Sequence, residues 1–238
     1  MKILFKYPTR QRPLMFSKTL IKYYELMKNN NFEFLISCDN DDESMNSKEI
    51  KNFLQQFPNL SIRYDNNKTK IDAVNCGISE KNFDIVVLVS DDMIPEIEGY
   101  DEIIRNDMKS NFPDTDGGLW YFDGWNKKIC TLSILGKKLY DRFNYIYHPS
   151  YKTQWCDNEY TEVTQKMNKL YYSDYVIIRH VHPDIVLQNM EAKKALYSVN
   201  EVYKEHNFAG HDLLWQKNAD GNEDENNFLK RKSKGFQQ

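Results

Sequence analysis

A short apolar segment that ends in two adjacent aspartates constrains the fold of this chain more than any other feature. Residues 85–89 are an unbroken aliphatic, mostly β-branched run, which is typical of a strand buried on both faces of a parallel sheet. Asp91 and Asp92 follow where that strand leaves the sheet, and open α/β sheets bind their ligands at this edge. Adjacent like charges need an offsetting cation or solvent, so the pair is either a divalent-metal site for a diphosphate or a solvated acidic turn.

Strand-like and helix-like segments alternate through the first half of the chain. The patterns predict strands at residues 3–7, 32–38, 60–64 and 85–89, with helices at 14–27, 47–57 and 69–78 between them. This order predicts a parallel sheet with right-handed crossovers, hence an α/β domain of the nucleotide-binding type. We expect residues 1–95 to form the nucleotide-binding half of a single domain that spans residues 1–208.

The second half of that domain, residues 96–208, is expected to form the acceptor side. The patterns predict helices at 103–112, 136–143, 158–168 and 186–206, and strands at 118–122, 129–135 and 169–178, the first two joined by a turn at 123–126. Candidates for an acceptor pocket are Trp120, Tyr121, Asp123 and Trp125, although strand aromatics are more often core. Residues 145–155 form either a mobile lid or a rigid aromatic loop. Residues 209–238 are expected to be a polar tail, partly disordered or lying over the surface.

Composition excludes several classes of protein. The formal charge of -3 and the pI near 6.0 argue against a nucleic-acid partner bound through phosphate neutralisation. The 4 cysteines have no CxxC spacing, which indicates neither a zinc site nor a disulfide framework. No segment approaches the roughly 20 apolar residues of a transmembrane helix, and none resembles a signal peptide. We therefore expect a cytoplasmic protein, either free or peripheral to a membrane.

Several segments at predicted strand ends resemble motifs of family 2 glycosyltransferases with the GT-A fold. Residues 7–13, Tyr-Pro-Thr-Arg-Gln-Arg-Pro, resemble the P-T-x-x-R-P segment after the first strand, and residues 70–77 are similar to a helix of K-x-x-A-x-N-x-G type. Residues 90–92 stand where the D-x-D metal motif belongs, with Ser90 replacing its first aspartate. Residues 155–159 and 180–183 are similar to the segment that carries the catalytic base and to a late H-x-H element.

The resemblance implies a mostly parallel central sheet flanked by helices, with a small antiparallel acceptor-side extension. It also implies an enzyme that moves a sugar from a nucleotide-diphosphate sugar to a hydroxyl of a glycan, a lipid-linked or a protein acceptor. Donor-binding residues would be Pro8, Thr9, Arg10, Arg12, Asp39, Lys70, Asn75, Ser90 and Asp91. An ordinary solvated basic loop or exposed helix lysine would equally explain the cationic members of this set.

A divalent cation, Mn²⁺ or Mg²⁺, is the expected cofactor. Asp92 is the first candidate ligand and Asp91 the second, joined by His180 or His182. An imidazole ligand favours Mn²⁺ over Mg²⁺. Because residues two apart on an extended segment share a face, both histidines could bind, and His180 is the preferred one. The alternative is that both are ordinary polar residues at a strand end.

An acceptor hydroxyl must lose its proton as it attacks, and a carboxylate is the usual base. Asp157 is the first candidate by its place in the resemblance, and Glu159 is the alternative. Both residues would also suit the start of a helix, where the macrodipole favours negative charge. A single base acting opposite the leaving group implies inversion at the anomeric carbon.

Two other functions are compatible with such a sheet. One is a sugar-phosphate nucleotidyltransferase, which usually carries a glycine-rich loop after the first strand; residues 8–13 contain no glycine. The other is a non-catalytic module that binds a nucleotide or a glycan. Metal-dependent binding of a nucleoside diphosphate, binding of a nucleoside triphosphate with a sugar phosphate, and binding of a glycan alone separate the three.

Overall fold

A seven-stranded sheet forms the centre of the fold in a computed structural model that describes residues 1–181, 190, 191, 195 and 220–237. The first four strands are parallel: β1 (Ile3–Pro8), β2 (Phe32–Asp39), β3 (Leu60–Asp65) and β4 (Ile85–Leu88). They lie in the order β3-β2-β1-β4, so the ends of β1, β2 and β4 are neighbours. The predicted parallel sheet is therefore confirmed.

Helices connect these strands and begin where the sequence provides capping groups. They are α1 (Pro13–Glu25), α2 (Lys48–Leu54) and α3 (Lys70–Asn75), the last followed by a 3₁₀ turn at Ile78–Glu80. Pro13 occupies the first turn of α1, and the hydroxyl of Ser47 accepts the N–H of Ile50 at the start of α2. Gly77 ends α3 with a φ of 73°, and a Cβ there would lie 2.7 Å from the Arg63 side chain.

The second half extends the sheet with shorter strands in mixed directions. It contains α4 (Tyr100–Asn111), β6 (Gly118–Tyr121), β7 (Ile134–Gly136), α5 (Lys137–Phe143), α6 (Cys156–Lys166) and β8 (Leu170–Ser173). β7 is antiparallel to both β4 and β6, and β8 is parallel to β6 at the edge. The expected antiparallel extension is a separate two-stranded sheet of β5 (Met93–Pro95) and β9 (Ile178–His180). Within the C-terminal tail, residues 220–233 form a helix, α7 (Asp220–Ser233), that packs on α6.

Two predicted strands were wrong in extent. Of residues 129–135, only Ile134 and Leu135 belong to a strand, β7; the preceding loop is held by side chains, for instance by Thr161, whose hydroxyl accepts the N–H of Cys130. The predicted strand 169–178 is divided between β8 and β9, which lie in different sheets. The predicted helix 186–206 lies largely outside the described residues.

The alternating side chains of β1 divide the core into two layers. Phe5 and Tyr7 pack against α1, where Phe5 stacks on Phe34 of β2 at 4.7 Å between ring centroids. Leu4 and Lys6 face the opposite layer, which contains α3. The Lys6 ammonium is buried and donates a hydrogen bond of 2.7 Å to the carbonyl of Cys76, just after α3. In the described part of the chain, no helix has the length and apolar character needed to cross a bilayer.

Candidate active site

The turn between β4 and β5 places the two aspartates at the carboxyl edge of the sheet. Asp91 is buried, and its carbonyl accepts a hydrogen bond of 2.9 Å from the hydroxyl of Thr19 on α1. Asp92 is less buried, and its Oδ1 accepts a hydrogen bond from the hydroxyl of Ser90. The predicted position of the acidic pair at this edge agrees with the structure.

The pairing of β5 with β9 brings a distant histidine to Asp92. Met93 lies opposite His180 in the two-stranded sheet, and the N–H of Val181 donates to the Asp92 carbonyl at 2.8 Å. Nε2 of His180 is 3.8 Å from Oδ2 of Asp92, and its Nδ1 is 3.8 Å from Oδ2 of Asp123. His180 therefore lies between two carboxylates. His182, the other candidate ligand, lies outside the described residues.

Asp123 holds the far side of His180 and is itself firmly fixed. Its Oδ1 accepts the N–H groups of Trp125 and Asn126 at 2.8 and 2.7 Å, and its Oδ2 accepts the hydroxyl of Thr131 at 2.7 Å. The residue types at 123–126 predict the turn, but they do not predict that the Asp123 side chain lies beside His180. Of the acceptor-pocket candidates beside it, Trp120 and Tyr121 are buried in the core, whereas Trp125 is exposed.

The acidic pair has counter-charges within the chain. Nη1 of Arg12 is 3.4 Å from Oδ2 of Asp91 and 3.8 Å from Oδ2 of Asp92. Burial lowers the pKa of His180, but the neighbouring carboxylates of Asp123 and Asp92 favour the charged imidazolium, outweigh burial and raise that pKa to about 9. Burial likewise opposes ionisation of Asp92, but His180 and Arg12 hold its pKa well below the usual range. Two adjacent carboxylates therefore do not by themselves require a metal here.

The local geometry is compatible with a metal ion held by two protein ligands. Among residues 1–181 and the described part of the C-terminus, no three His, Cys, Asp or Glu side chains gather as a metal-binding group. Two neighbouring donors, each about 2.1 Å from one ion, lie about 3.0 Å apart in octahedral and about 3.4 Å apart in tetrahedral geometry. The separation of 3.8 Å between Asp92 Oδ2 and His180 Nε2 exceeds these spacings by less than 1 Å, a difference that rotation of the two side chains can close. Binding would require His180 to release its proton, and other oxygens would complete the coordination.

Two hydroxyls near the end of β1 are buried and have no hydrogen-bond partner among the described residues. Pro8 ends the strand, and the hydroxyls are those of Tyr7, whose side chain lies in the core, and of Thr9. An unsatisfied buried hydroxyl costs about 1–3 kcal/mol and is rare in native proteins. A ligand that supplies partners at this edge would remove that cost, which fits the predicted role of Thr9.

Beside Thr9, a cation bridges two acidic residues that follow β2. Nη1 of Arg10 is 2.6 Å from Oδ2 of Asp39 and 2.7 Å from Oδ1 of Asp41, and its Nη2 is 2.9 Å from the second Asp41 oxygen. The remaining oxygen of Asp39 accepts a hydrogen bond of 2.7 Å from the amide of Asn67. Arg10 and Asp39, both predicted to bind the donor, are thus in contact at the ends of β1 and β2. Arg12 and Asp91 form their pair at the ends of β1 and β4.

Asp157 lies in the first turn of α6, at residue two of the helix. Trp155 occupies the N-cap position, and Oδ1 of Asp157 accepts the N–H of Asn158 at 3.0 Å within the first turn. Burial raises the pKa of the Asp157 carboxyl, and the nearby charges of Lys70 and His180 oppose that rise. Lys70, at the first residue of α3, and His180 therefore lie within electrostatic reach of Asp157. A half-buried carboxylate of raised pKa is suited to accept a proton.

Glu159 is buried and has partners on both oxygens. Its Oε2 accepts the hydroxyl of Tyr151 at 2.7 Å and Nε of Arg231 at 2.7 Å, and its Oε1 accepts Nη2 of Arg231 at 2.8 Å. This two-pronged pair joins α6 to α7. The arrangement favours a structural role for Glu159 and leaves Asp157 as the carboxylate that faces the cluster of charges.

Asn75 supports the aromatic loop at 145–155. Its Nδ2 donates to the carbonyl of Tyr147 at 2.7 Å, and its Oδ1 accepts the N–H groups of Ile146 and Tyr147 at 3.0 and 3.3 Å. These contacts satisfy the loop backbone from α3 and favour the rigid alternative for this loop. The amide nitrogen and the amide oxygen of Asn75 are therefore both hydrogen-bonded to the backbone of this loop.

Comparison with known proteins gives matches at the level of structure. No protein-family model and no curated protein sequence matches the chain. The mannosyltransferase PcManGT from Pyrobaculum calidifontis, solved with GDP-Man and Mn²⁺, superposes with a TM-score of 0.59 at 13% identity over 74% of this chain and 55% of that one. TarS 1-349 from S. aureus superposes in its UDP complex with a TM-score of 0.58 at 14% identity over 87% of this chain and 72% of that one.

TarS in complex with UDP-GlcNAc matches with a TM-score of 0.58 at 14% identity, over 75% of this chain and 58% of that chain. This chain spans little more than half of the length of the mannosyltransferase PcManGT. At such identities the likeness establishes the fold, and the predicted GT-A fold is confirmed. The ligands in these structures belong to those proteins.

Proposed function

We propose that this protein is a metal-dependent, inverting glycosyltransferase that moves a sugar from a nucleotide-diphosphate sugar to an acceptor hydroxyl. One observation carries the proposal: the pairing of β5 with β9 brings His180 to within 3.8 Å of Asp92 in the acidic pair at 91–92. Asp157 of α6 lies within electrostatic range of the same His180. Similarity of fold to glycosyltransferases solved with UDP, UDP-GlcNAc and GDP-Man adds support.

The donor would lie across the ends of β1, β2 and β4. The orphaned Thr9 hydroxyl and the Arg10–Asp39 pair are suited to the nucleoside, whose hydroxyls and base offer both donors and acceptors. Arg12, beside the acidic pair, is suited to a phosphate oxygen because a guanidinium matches phosphate geometry. Lys70 lies within electrostatic range of Asp157 and would add positive charge on that side of the donor.

Asp92 and His180 are the residues that would hold the metal ion. Asp91, next to Asp92, is more deeply buried. A bound Mn²⁺ or Mg²⁺ would supply Lewis-acid stabilisation of the charge that develops on the diphosphate. The nitrogen donor of His180 favours Mn²⁺. Asp123 keeps Nδ1 of His180 engaged, so that Nε2 faces Asp92.

Asp157 would take the proton of the attacking hydroxyl. Its raised pKa makes it a stronger base than an exposed aspartate, and burial limits competition from water. A single base opposite the diphosphate predicts inversion of the anomeric configuration. The hydroxyl oxygen forms the new bond to the anomeric carbon as the bond to the diphosphate oxygen breaks, and the proton passes to Asp157.

A donor screen tests the proposal. The purified chain is incubated with UDP- and GDP-linked sugars with Mn²⁺, first with water and then with simple glycans as acceptors, and release of nucleoside diphosphate is followed. We expect release from at least one donor and, for the transferred sugar, an anomeric configuration opposite to that of the donor by NMR. Activity that instead consumes a nucleoside triphosphate and a sugar phosphate would identify a nucleotidyltransferase. Glycan binding without nucleotide affinity would identify a binding module.

A further inference from the structure

We infer that Asp224, on α7, is a positioning residue for Asp157: it fixes the backbone that leads into α6 and so sets the place of the base. The inference rests on the proposed function, in which Asp157 accepts the proton. Asp224 is 67 residues from Asp157 in sequence, belongs to the polar C-terminal tail and contributes nothing to the edge of the sheet. Its connection to the site exists only in the folded chain.

The carboxylate of Asp224 accepts three consecutive backbone N–H groups. Its Oδ1 lies 3.0 Å from the N of Lys152, and its Oδ2 lies 2.8 Å from the N of Thr153 and 2.9 Å from the N of Gln154. Successive amides that converge on one anion form a strong, directional site, and charge assists each bond. Asp224 is only 1% exposed, so water competes little for these amides.

The residue that follows these amides is Trp155, and α7 supports it too. Trp155 has a φ of 61°, a left-handed conformation that is unfavourable for a bulky residue and persists only where its surroundings hold it. Its indole packs on the ring of Phe228 of α7, with centroids 5.2 Å apart. Trp155 caps α6 without a side-chain hydrogen bond. Contacts from outside the helix therefore fix where α6 begins, one residue before Asp157.

α7 also holds the chain on the other side of Asp157. Arg231 binds Glu159, two residues after Asp157, through two hydrogen bonds of 2.7 and 2.8 Å. Asp157 thus lies between two segments that are both tied to one helix. A displacement of about 1 Å from a remote change can reduce the rate of an enzyme about 100-fold. Loss of Asp224 is expected to cause such a displacement without touching the donor site.

The segment held by Asp224 also contacts the first turn of α3. The carbonyl of Lys152 accepts the N–H of Ile71 at 3.3 Å, in the first turn of α3. The neighbouring residue Lys70 is the cation that acts on the pKa of Asp157. Asp224 therefore stabilises the contact between the base segment and α3, and it does so from the side remote from the sheet edge.

The test compares Asp224→Ala with Glu225→Ala, which removes an exposed carboxylate from the next residue of the same helix. In Asp224→Ala we expect kcat for sugar transfer to fall about 10- to 100-fold, with Kd for nucleoside diphosphate unchanged within about twofold. Hydrogen exchange of the amides at 152–154 should become faster. Asp224→Asn retains one oxygen for these amides and should recover part of kcat. Glu225→Ala should match the wild type in all three measurements.

The outcomes separate the inference from the proposed function. Wild-type kcat in Asp224→Ala, with faster exchange at 152–154, would overturn the inference and leave the proposed function intact. A loss of nucleotide affinity equal to the loss in kcat would also overturn it, because it would indicate a general structural role. If Asp224→Ala does not fold, Asp224→Asn decides by the same two criteria. Failure of the wild-type protein to bind any nucleoside diphosphate would contradict the proposed function itself.

Discussion

Asp123 and Asp92 lie on opposite sides of the His180 ring, each with a carboxylate oxygen 3.8 Å from one of its nitrogens. One carboxylate, Asp123, thus lies beside Nδ1 of the imidazole, and the other, Asp92, lies beside Nε2. This carboxylate–histidine relationship is the usual arrangement around metal-binding histidines. Asp92, Asp123 and His180 belong to three separate segments of the chain. The pairing of β5 with β9 and the turn at 123–126 bring these segments together.

Asp123→Asn should weaken Mn²⁺ binding about 10- to 100-fold, since loss of a carboxylate that orients a metal-binding histidine typically has this effect. An asparagine amide in place of Oδ2 would donate to Nδ1 and leave the proton on Nε2, the nitrogen needed for the metal. Titration of the protein with Mn²⁺ followed by EPR measures the change. Asp141→Asn, in an exposed ion pair with Lys137, is the matched control. Equal affinity of Asp123→Asn and the control would show that Asp123 has no part in metal binding.

Asp157→Asn should retain nucleotide affinity and lose sugar transfer by a factor of about 10² to 10⁴, the usual contribution of a general base. The amide has nearly the same shape as the carboxylate but cannot accept the proton. Calorimetric titration with nucleoside diphosphate and a transfer assay measure the two properties separately. An unchanged rate of transfer would exclude Asp157 as the base and return Glu159 to that role.

Glu159→Gln should destabilise the fold by about 2 kcal/mol or more, because it leaves the partly buried guanidinium of Arg231 without its counter-charge. Urea denaturation gives the change in the free energy of unfolding. Glu162→Gln is the control on the same helix: its pair with Lys232 is exposed, and such pairs contribute less than about 1 kcal/mol. Wild-type stability of Glu159→Gln together with loss of transfer would instead assign catalysis to Glu159.

Stability of the protein should rise with pH between about 8 and 10.5 through Lys6. Burial lowers the pKa of the Lys6 ammonium from 10.5 to about 8, in spite of its hydrogen bonds to Ser37 and Cys76. In that interval the unfolded chain binds more protons than the folded one, so unfolding becomes less favourable as pH increases. The free energy of unfolding from urea titrations at pH 7.5, 8.5 and 9.5 measures the slope.

Lys6→Met removes this group and should flatten the pH dependence relative to the wild type. The tyrosines and cysteines that titrate in the same range are common to both proteins, so the difference between the two slopes reports Lys6 together with the thiol of Cys76 that it contacts. Parallel slopes in the two proteins would show that the Lys6 pKa is not lowered by burial.

Much of the fold of residues 1–95 could be predicted from sequence because its signals are local. The apolar runs at 32–38 and 85–89 are contiguous, and parallel strands buried on both faces need no alternation. Ser47 and Pro13 mark helix starts within a few residues. The acidic pair was placed at the sheet edge for the same reason, since it directly follows a strand.

The second half was less predictable because its pairings join distant segments. Residues 169–178 carry a continuous strand-like pattern, yet the chain uses them in two sheets with different partners. The contact between His180 and Asp123 depends on a turn and a strand that are more than 50 residues apart. Asp224 lies in a polar tail whose composition gives no sign of a buried carboxylate.

Calorimetric titration with UDP and GDP, with and without Mn²⁺, tests the central claim most directly, namely that the carboxylates after β4 anchor a cation that binds a diphosphate. We predict that the wild-type protein binds one of the two nucleotides tightly only with Mn²⁺, and that Asp92→Ala folds normally but loses this metal-dependent binding. Affinity that is the same with excess chelator, or that survives intact in Asp92→Ala, would contradict the account.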